Sequence, residues 1–210
     1  MTRPIPTRLY HFTHVRHLAS IVSAGLLADS AVGTRLQHEA GSLSIKSQRR
    51  YREVPFPPGG VVSDYVPFYF APSSPMMFAI RSGRVPEYGT DTSELIYLVT
   101  RAERLIELGH PPLFTRRNAA LISAEFRNEI SALDDHVDWA LMRDQYWRDT
   151  DADGDRRARR MAEWLVHGRV GWEAFSGIAV HNDAVRLQAE ATLATLGVSL
   201  PTLVKREWYF

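Results

Sequence analysis

The sequence predicts an α+β fold, in one domain over residues 1–210. Two observations carry that prediction. Short apolar segments such as 9–12, 94–99 and 177–181 read as strands, and the helices between them differ in length and do not alternate with them regularly. The chain is 210 residues long, with 45% hydrophobic and 23% charged residues, which is enough to bury one sizeable core.

Taken in order, Leu9, Tyr10, His11 and Phe12 form a first strand. Over 15–24, Val15, Leu18, Ile21 and Val22 share one helix face, with Thr13 or His14 as cap and Gly25 at the stop. The segment 29–41 is polar and lacks a period, and 42–52 reads as a basic helix. Val61, Val62 and 66–70 have strand character, with Pro67 weakening the ladder or marking an edge. Ser74-Pro75 opens a helix that buries Met76, Met77 and Ile80. The clearest core strand is 94–99, followed by a short helix over 101–108. Charge is densest over 113–160, which reads as an elaborated insertion inside the domain. Strand character returns at 163–167 and 177–181, then a helix over 184–196 and a terminal strand over 203–210.

Composition excludes several chemistries. Cysteine is absent, so disulfides, thiolate metal sites and thiol nucleophiles are out. The eight histidines show neither HxH nor HExxH spacing, so no metal is expected. There is no GxGxxG, P-loop or GxSxG motif. No apolar run suits a signal peptide or a membrane span, so a cytoplasmic location is expected. Net charge is +1, but arginines cluster at 46–52, 116–117 and 156–160, and such patches either hold phosphates or form solvated faces.

The stretch from 48 to 77 departs most from an ordinary core. It runs from Gln48-Arg49-Arg50 through VPFPPGG (54–60) to DYVPFYFAPSSPMM (64–77). Prolines and glycines among aromatic residues fix a backbone course, here read as one wall of a binding cleft. Arg49 is suited to gripping a pyrophosphate with two parallel bonds, or is a surface charge. His11, at a strand end, is a hydrogen-bonded rim residue or a ligand contact. Glu163 beside Trp164 either pairs with Arg159 or Arg160, or offers a carboxylate that fixes a ribose hydroxyl and stabilises a cationic sugar carbon. Trp139, Tyr146, Trp147 and Trp164 serve as core or as base-stacking rings.

Together these residues are recognisable. Tyr10-His11-Phe12-Thr13-His14, Tyr69 and the strand-opening Glu163 resemble the His–Tyr–Glu pattern of the ADP-ribosyltransferase superfamily. QRR, VPFPPGGVVSDYVPFYF, SPMMFAI, AEWLV and the terminal REWYF resemble one branch of it over nearly the whole chain, the DarT family of DNA ADP-ribosyltransferase toxins. The resemblance implies an ADP-ribosyltransferase-like fold, a split, antiparallel-rich central sheet with flanking helices, and NAD as donor of ADP-ribose, without a metal. It implies single-stranded DNA as substrate, with thymine N3 modified in a short sequence context, and a DarG-like macrodomain antitoxin as partner.

Carried over by residue, Arg49 and Glu163 are the expected catalytic pair, Arg49 as the group thought to take the base proton. His11, Phe12 and Thr13 contact the NAD ribose and nicotinamide, Ser20 and Ala28 lie along the same pocket, and Tyr69, Ser74 and Met76 form its floor. Residues 33–51 cover the cofactor and 116–163 present the DNA, with Arg52, Arg116, Arg117, Tyr146, Trp147 and Arg157 as DNA contacts. The residues also admit transfer onto guanine, RNA or protein, a non-catalytic NAD- or nucleic-acid-binding module, and a structural domain with basic loops.

Overall fold

The structure is a computed structural model that describes residues 2–32, 43–86 and 88–210. An eight-stranded sheet dominates it. In chain order the strands are β1 (Arg8–His14), β2 (Leu26–Leu27), β3 (Tyr65–Tyr69), β4 (Leu95–Arg101), β5 (Phe114–Thr115), β6 (Phe126–Arg127), β7 (Glu163–His167), β8 (Arg169–Val170), β9 (Gly177–Val180) and β10 (Thr202–Val204). The sheet order is β10-β9-β4-β1-β3-β7-β5-β6, while β2 and β8 pair separately. Among the described residues every strand pairing is antiparallel except β10 with β9.

Alternation along the strands separates the packing layers. Leu9, Phe68, Ile96, Leu98, Trp164 and Ile178 join the large cluster on one face. The other face carries two smaller clusters, one with Tyr10, Phe12, Leu95 and Tyr97, the other with Tyr65, Leu113 and Leu165. The helices Leu18–Ala24 and Asp183–Thr195 cover the first face through Leu18, Ile21, Val185, Ala189 and Leu193.

The centre of the sheet is split. β1 pairs with β4 over seven residues but with β3 only at Tyr10↔Tyr69. Pro67 sits at the divergence, in an interior strand and not at an edge as one sequence reading allowed. It has no N–H to give to a neighbouring strand, and its carbonyl is reached instead by the His11 ring.

Other boundaries shift for local reasons. His14 caps the 3-10 turn Val15–His17 by accepting from the Arg16 N–H, and the helix proper starts at Leu18. Val61 makes only an isolated bridge to Glu53, because Val62–Asp64 turns as a 3-10 helix and Asp64 accepts from the Val61 N–H. The terminal strand is shorter than expected: β10 ends at Val204, and Arg206–Trp208 is a 3-10 turn. Segment 113–160 is no mere insertion, since it supplies β5 and β6 to the sheet and buries Trp139 at the large cluster. Among the described residues, no helix is long and apolar enough to cross a membrane.

Candidate active site

The cleft runs through the split, lined by His11, Phe12 and Thr13 from β1 and by the alternate residues Tyr65, Pro67 and Tyr69 from β3. Its volume is about 400 Å³, within the range of small-molecule sites. Across the ladder Tyr69 stands opposite Glu163, and Glu163 stands opposite Thr115 on its other side. Directly opposed residues share a face, so the sheet itself holds Glu163 against the Tyr69 ring.

Glu163 is 1% exposed, and its partner is Arg49, not Arg159 or Arg160. Arg49 Nη1 donates to Glu163 Oε2 at 2.9 Å. The helix Leu43–Tyr51 brings Arg49 over the cleft as its one buried residue. That helix is the described part of the expected 33–51 cover, whose residues 33–42 lie outside the described residues. Arg49 Nη2 is buried with no hydrogen-bond partner among the described residues. A buried guanidinium with an idle donor fits an anionic or carbonyl-bearing ligand.

His11 Nδ1 lies 2.8 Å from the Pro67 carbonyl. A carbonyl only accepts, so Nδ1 carries the proton and Nε2 keeps its lone pair. Burial, with Arg49 adding to it, pushes the His11 pKa down to about 4, so the ring is neutral at physiological pH and able to accept from a hydroxyl. Thr13 Oγ1 is 2.9 Å from His17 Nδ1. The rings of Phe12 and Tyr69 stack at 6.1 Å and form a flat wall. Burial first, and then the Glu163 charge, raise the Tyr69 phenol, which keeps its proton. The site thus offers the Glu163 carboxylate, the idle Arg49 donor, the His11 imidazole acceptor and an aromatic face, a set that suits a hydroxylated, aromatic, anionic ligand.

Of the residues expected here, His11, Phe12, Thr13, Ser20, Arg49, Tyr69, Met76 and Glu163 line the cleft. Ala28 and Ser74 do not. Ala28 is buried in the large core cluster, between Leu27 and Asp29, which do line the cleft. Ser74 caps the helix Pro75–Arg81 by accepting from the Met77 N–H. Sequence reasoning missed Tyr65 and Asn118, both of which line the cleft. Asn118 comes from the turn after β5, and its nearness to Glu163 depends on a strand register that sequence does not show.

The expected DNA contacts divide by what they touch. Trp147 is 7% exposed, with Phe78 and Phe210 against its ring, so it is core and not a stacking platform. Trp139 and Trp164 are buried in the core as well. Arg52 donates to the carbonyls of Ile122 and Ala124 and lies over the Phe126 ring, tying down a loop. Arg116 lies 3.7 Å from Glu125 and Arg117 2.9 Å from Asp155. The basic run is largely neutralised as well: Arg156 pairs with Asp144, and Arg159 with Asp138 and Asp153. Tyr146, 78% exposed, and Arg157 remain on the surface. Among the described residues, no group of three His, Asp or Glu side chains is placed to hold a metal ion.

Comparison with known proteins agrees with this geometry. Residues 10–210 match the family described as "ssDNA thymidine ADP-ribosyltransferase, DarT". A DNA ADP-ribosyl transferase of Thermus sp. (strain 2.9) is 33% identical, over 100% of this chain and 99% of the relative. The structure of Thermus sp. 2.9 DarT in complex with ADP-ribosylated ssDNA superposes with a TM-score of 0.90 at 33% identity, over 100% of this chain and 99% of that one. The same protein in complex with NAD+ gives 0.88 at 32% identity, with both chains covered completely. The split sheet with its flanking helices is therefore an ADP-ribosyltransferase-like fold, and the chain belongs to the DarT family of DNA ADP-ribosyltransferases, enzymes that use NAD.

Proposed function

We propose that this chain transfers ADP-ribose from NAD to N3 of thymine in single-stranded DNA, within a preferred short sequence. In this reading it acts in the cytoplasm as the toxin of a toxin–antitoxin pair, and a DarG-like macrodomain antitoxin reverses the mark. The family description, which names ssDNA thymidine, supports the substrate. The observation that carries the chemistry is the buried Arg49–Glu163 pair at the split of the sheet.

NAD supplies the ADP-ribosyl group: the ribose–nicotinamide bond breaks, an N3–ribose bond forms, and neutral nicotinamide and the thymine N3 proton are released to solvent. His11 Nε2 accepts from a ribose hydroxyl, and the Phe12–Tyr69 wall takes the flat nicotinamide face. Glu163, 1% exposed, places fixed negative charge where positive charge develops. Arg49 keeps its proton in proteins, so its idle Nη2 acts by stabilising the base as N3–H is lost. Segment 116–163 presents the DNA, with Tyr146 and Arg157 as exposed contacts. A target base enters such a cleft only unstacked, and a single strand avoids the duplex penalty of a few kcal/mol.

Mass spectrometry of thymine-containing oligonucleotides incubated with NAD tests the reading, beside homopolymer DNA and RNA panels with labelled NAD. The expected product is one ADP-ribose on thymine. Modification of guanine, RNA or protein with thymine untouched overturns it.

A further inference from the structure

Asn118 is 3% exposed, comes from the turn after β5 and lines the cleft together with Glu163. Two contacts fix this turn. Thr115, paired in register with Glu163, donates its hydroxyl to the Arg117 carbonyl at 2.7 Å. Asn118 Oδ1 then accepts from the Ala120 N–H at 2.9 Å. The second contact decides the amide orientation, because an N–H donor must meet the oxygen. The side-chain oxygen is therefore occupied by the backbone, and Nδ2, which makes no hydrogen bond among the described residues, is a donor held in place at the cleft wall.

We infer that Asn118 is a specificity-determining residue that reads the target base, its Nδ2 donating to the thymine oxygen O4. Thymine and guanine carry a carbonyl oxygen at this position, whereas cytosine and adenine carry an amino group. A fixed donor accepts the first pair and opposes the second, because two donors facing each other leave both unpaired. An amide locked by its own backbone cannot rotate to offer its oxygen instead, so the discrimination is built into the turn. This inference rests on thymine being the target, as proposed above.

Asn118→Asp tests it, because the carboxylate still accepts from the Ala120 N–H and keeps the turn while the donor becomes an acceptor. Wild type and variant are compared on oligonucleotides that differ only in one target base, with thermal midpoint and NAD affinity measured alongside. The added charge weakens DNA binding for every base alike, so the thymine-to-cytosine ratio is the readout. We expect that ratio to fall at least about tenfold, with NAD affinity retained. Asn118→Ser, neutral and able to make the same turn with its hydroxyl, lowers the same ratio and decides the matter if the aspartate variant does not fold. An unchanged ratio in the folded variants overturns the inference, as does a loss of NAD affinity with the ratio preserved. A wild-type protein that leaves thymine unmodified overturns the function reading itself, before any variant is compared.

Discussion

Arg49 and Glu163 lie 114 positions apart in sequence, yet their side chains meet at 2.9 Å, with 10% and 2% of each exposed. One is carried by a helix over the cleft, the other by an interior strand of the sheet. Their meeting depends on the whole fold. A buried ion pair also makes each partner costly to remove alone.

Glu163→Gln keeps the shape and removes the charge. Transfer is expected to fall at least about a hundredfold, with the fold retained. Glu163→Ala leaves Arg49 without its acid and lowers stability by about 2 kcal/mol as well. Arg49→Lys keeps a charge but loses the second Nη, and transfer is again expected to fall about a hundredfold. Initial rates on a thymine oligonucleotide together with urea melts check these outcomes; wild-type rates in any of the three variants remove that residue from the chemistry.

The neutral His11 sets a pH dependence. Its folded pKa of about 4 lies below the ordinary 6.5, so below pH 6.5 the unfolded chain takes up a proton that the folded chain refuses. Stability from this group is therefore complete above pH 6.5 and is lost as pH falls towards 4, by on the order of 2–3 kcal/mol. Urea melts at pH 7.5 and pH 5 are expected to differ less in His11→Gln than in wild type. Equal pH slopes would contradict the assignment.

Arg160 anchors segment 113–160 through backbone carbonyls, with the Asp144 charge nearby. Its Nη1 donates to the carbonyls of Leu141 and Asp144 at 2.7 and 3.1 Å, and its Nη2 to Pro72 at 2.8 Å. Burial lowers its pKa to about 10, so it still carries its charge near neutrality. Lysine presents a single nitrogen and cannot reach all three carbonyls, so Arg160→Lys is expected to lose about 1–3 kcal/mol in denaturant melts.

Tyr146 and Trp147 are neighbours with opposite surroundings. Trp147→Ala opens the contact with Phe78 and Phe210 and is expected to destabilise by about 3 kcal/mol. Tyr146→Ala is expected to leave the thermal midpoint alone and to weaken oligonucleotide binding, measured by fluorescence anisotropy. The reverse pattern would exchange their roles.

Strands and helices with a clear hydrophobic period were legible from sequence: β1, β4, β9 and the helix Asp183–Thr195 fall where their apolar spacing places them. So was most of the cleft wall, because the family motifs run through His11, Arg49, Tyr69 and Glu163. Ion pairing between distant segments was not legible. Aspartates at 138, 144, 153 and 155 take up the arginines that looked like a free basic patch, and no local pattern announces which acid meets which base. Trp147 and Asn118 were misread or missed for the same reason, since burial and cleft access are set by residues far away in sequence.

The opposition of Tyr69 and Glu163 across β3 and β7 has a further consequence. A strand turns its side chains by half a revolution at each step, so sliding β7 by one position exchanges Glu163 with the fully buried Trp164. Such a slip buries a carboxylate in the apolar layer and thrusts an indole into the cleft. The placement of the acid is therefore quantised: an insertion or deletion just upstream of β7 leaves the carboxylate where it belongs or removes it altogether, with no intermediate setting.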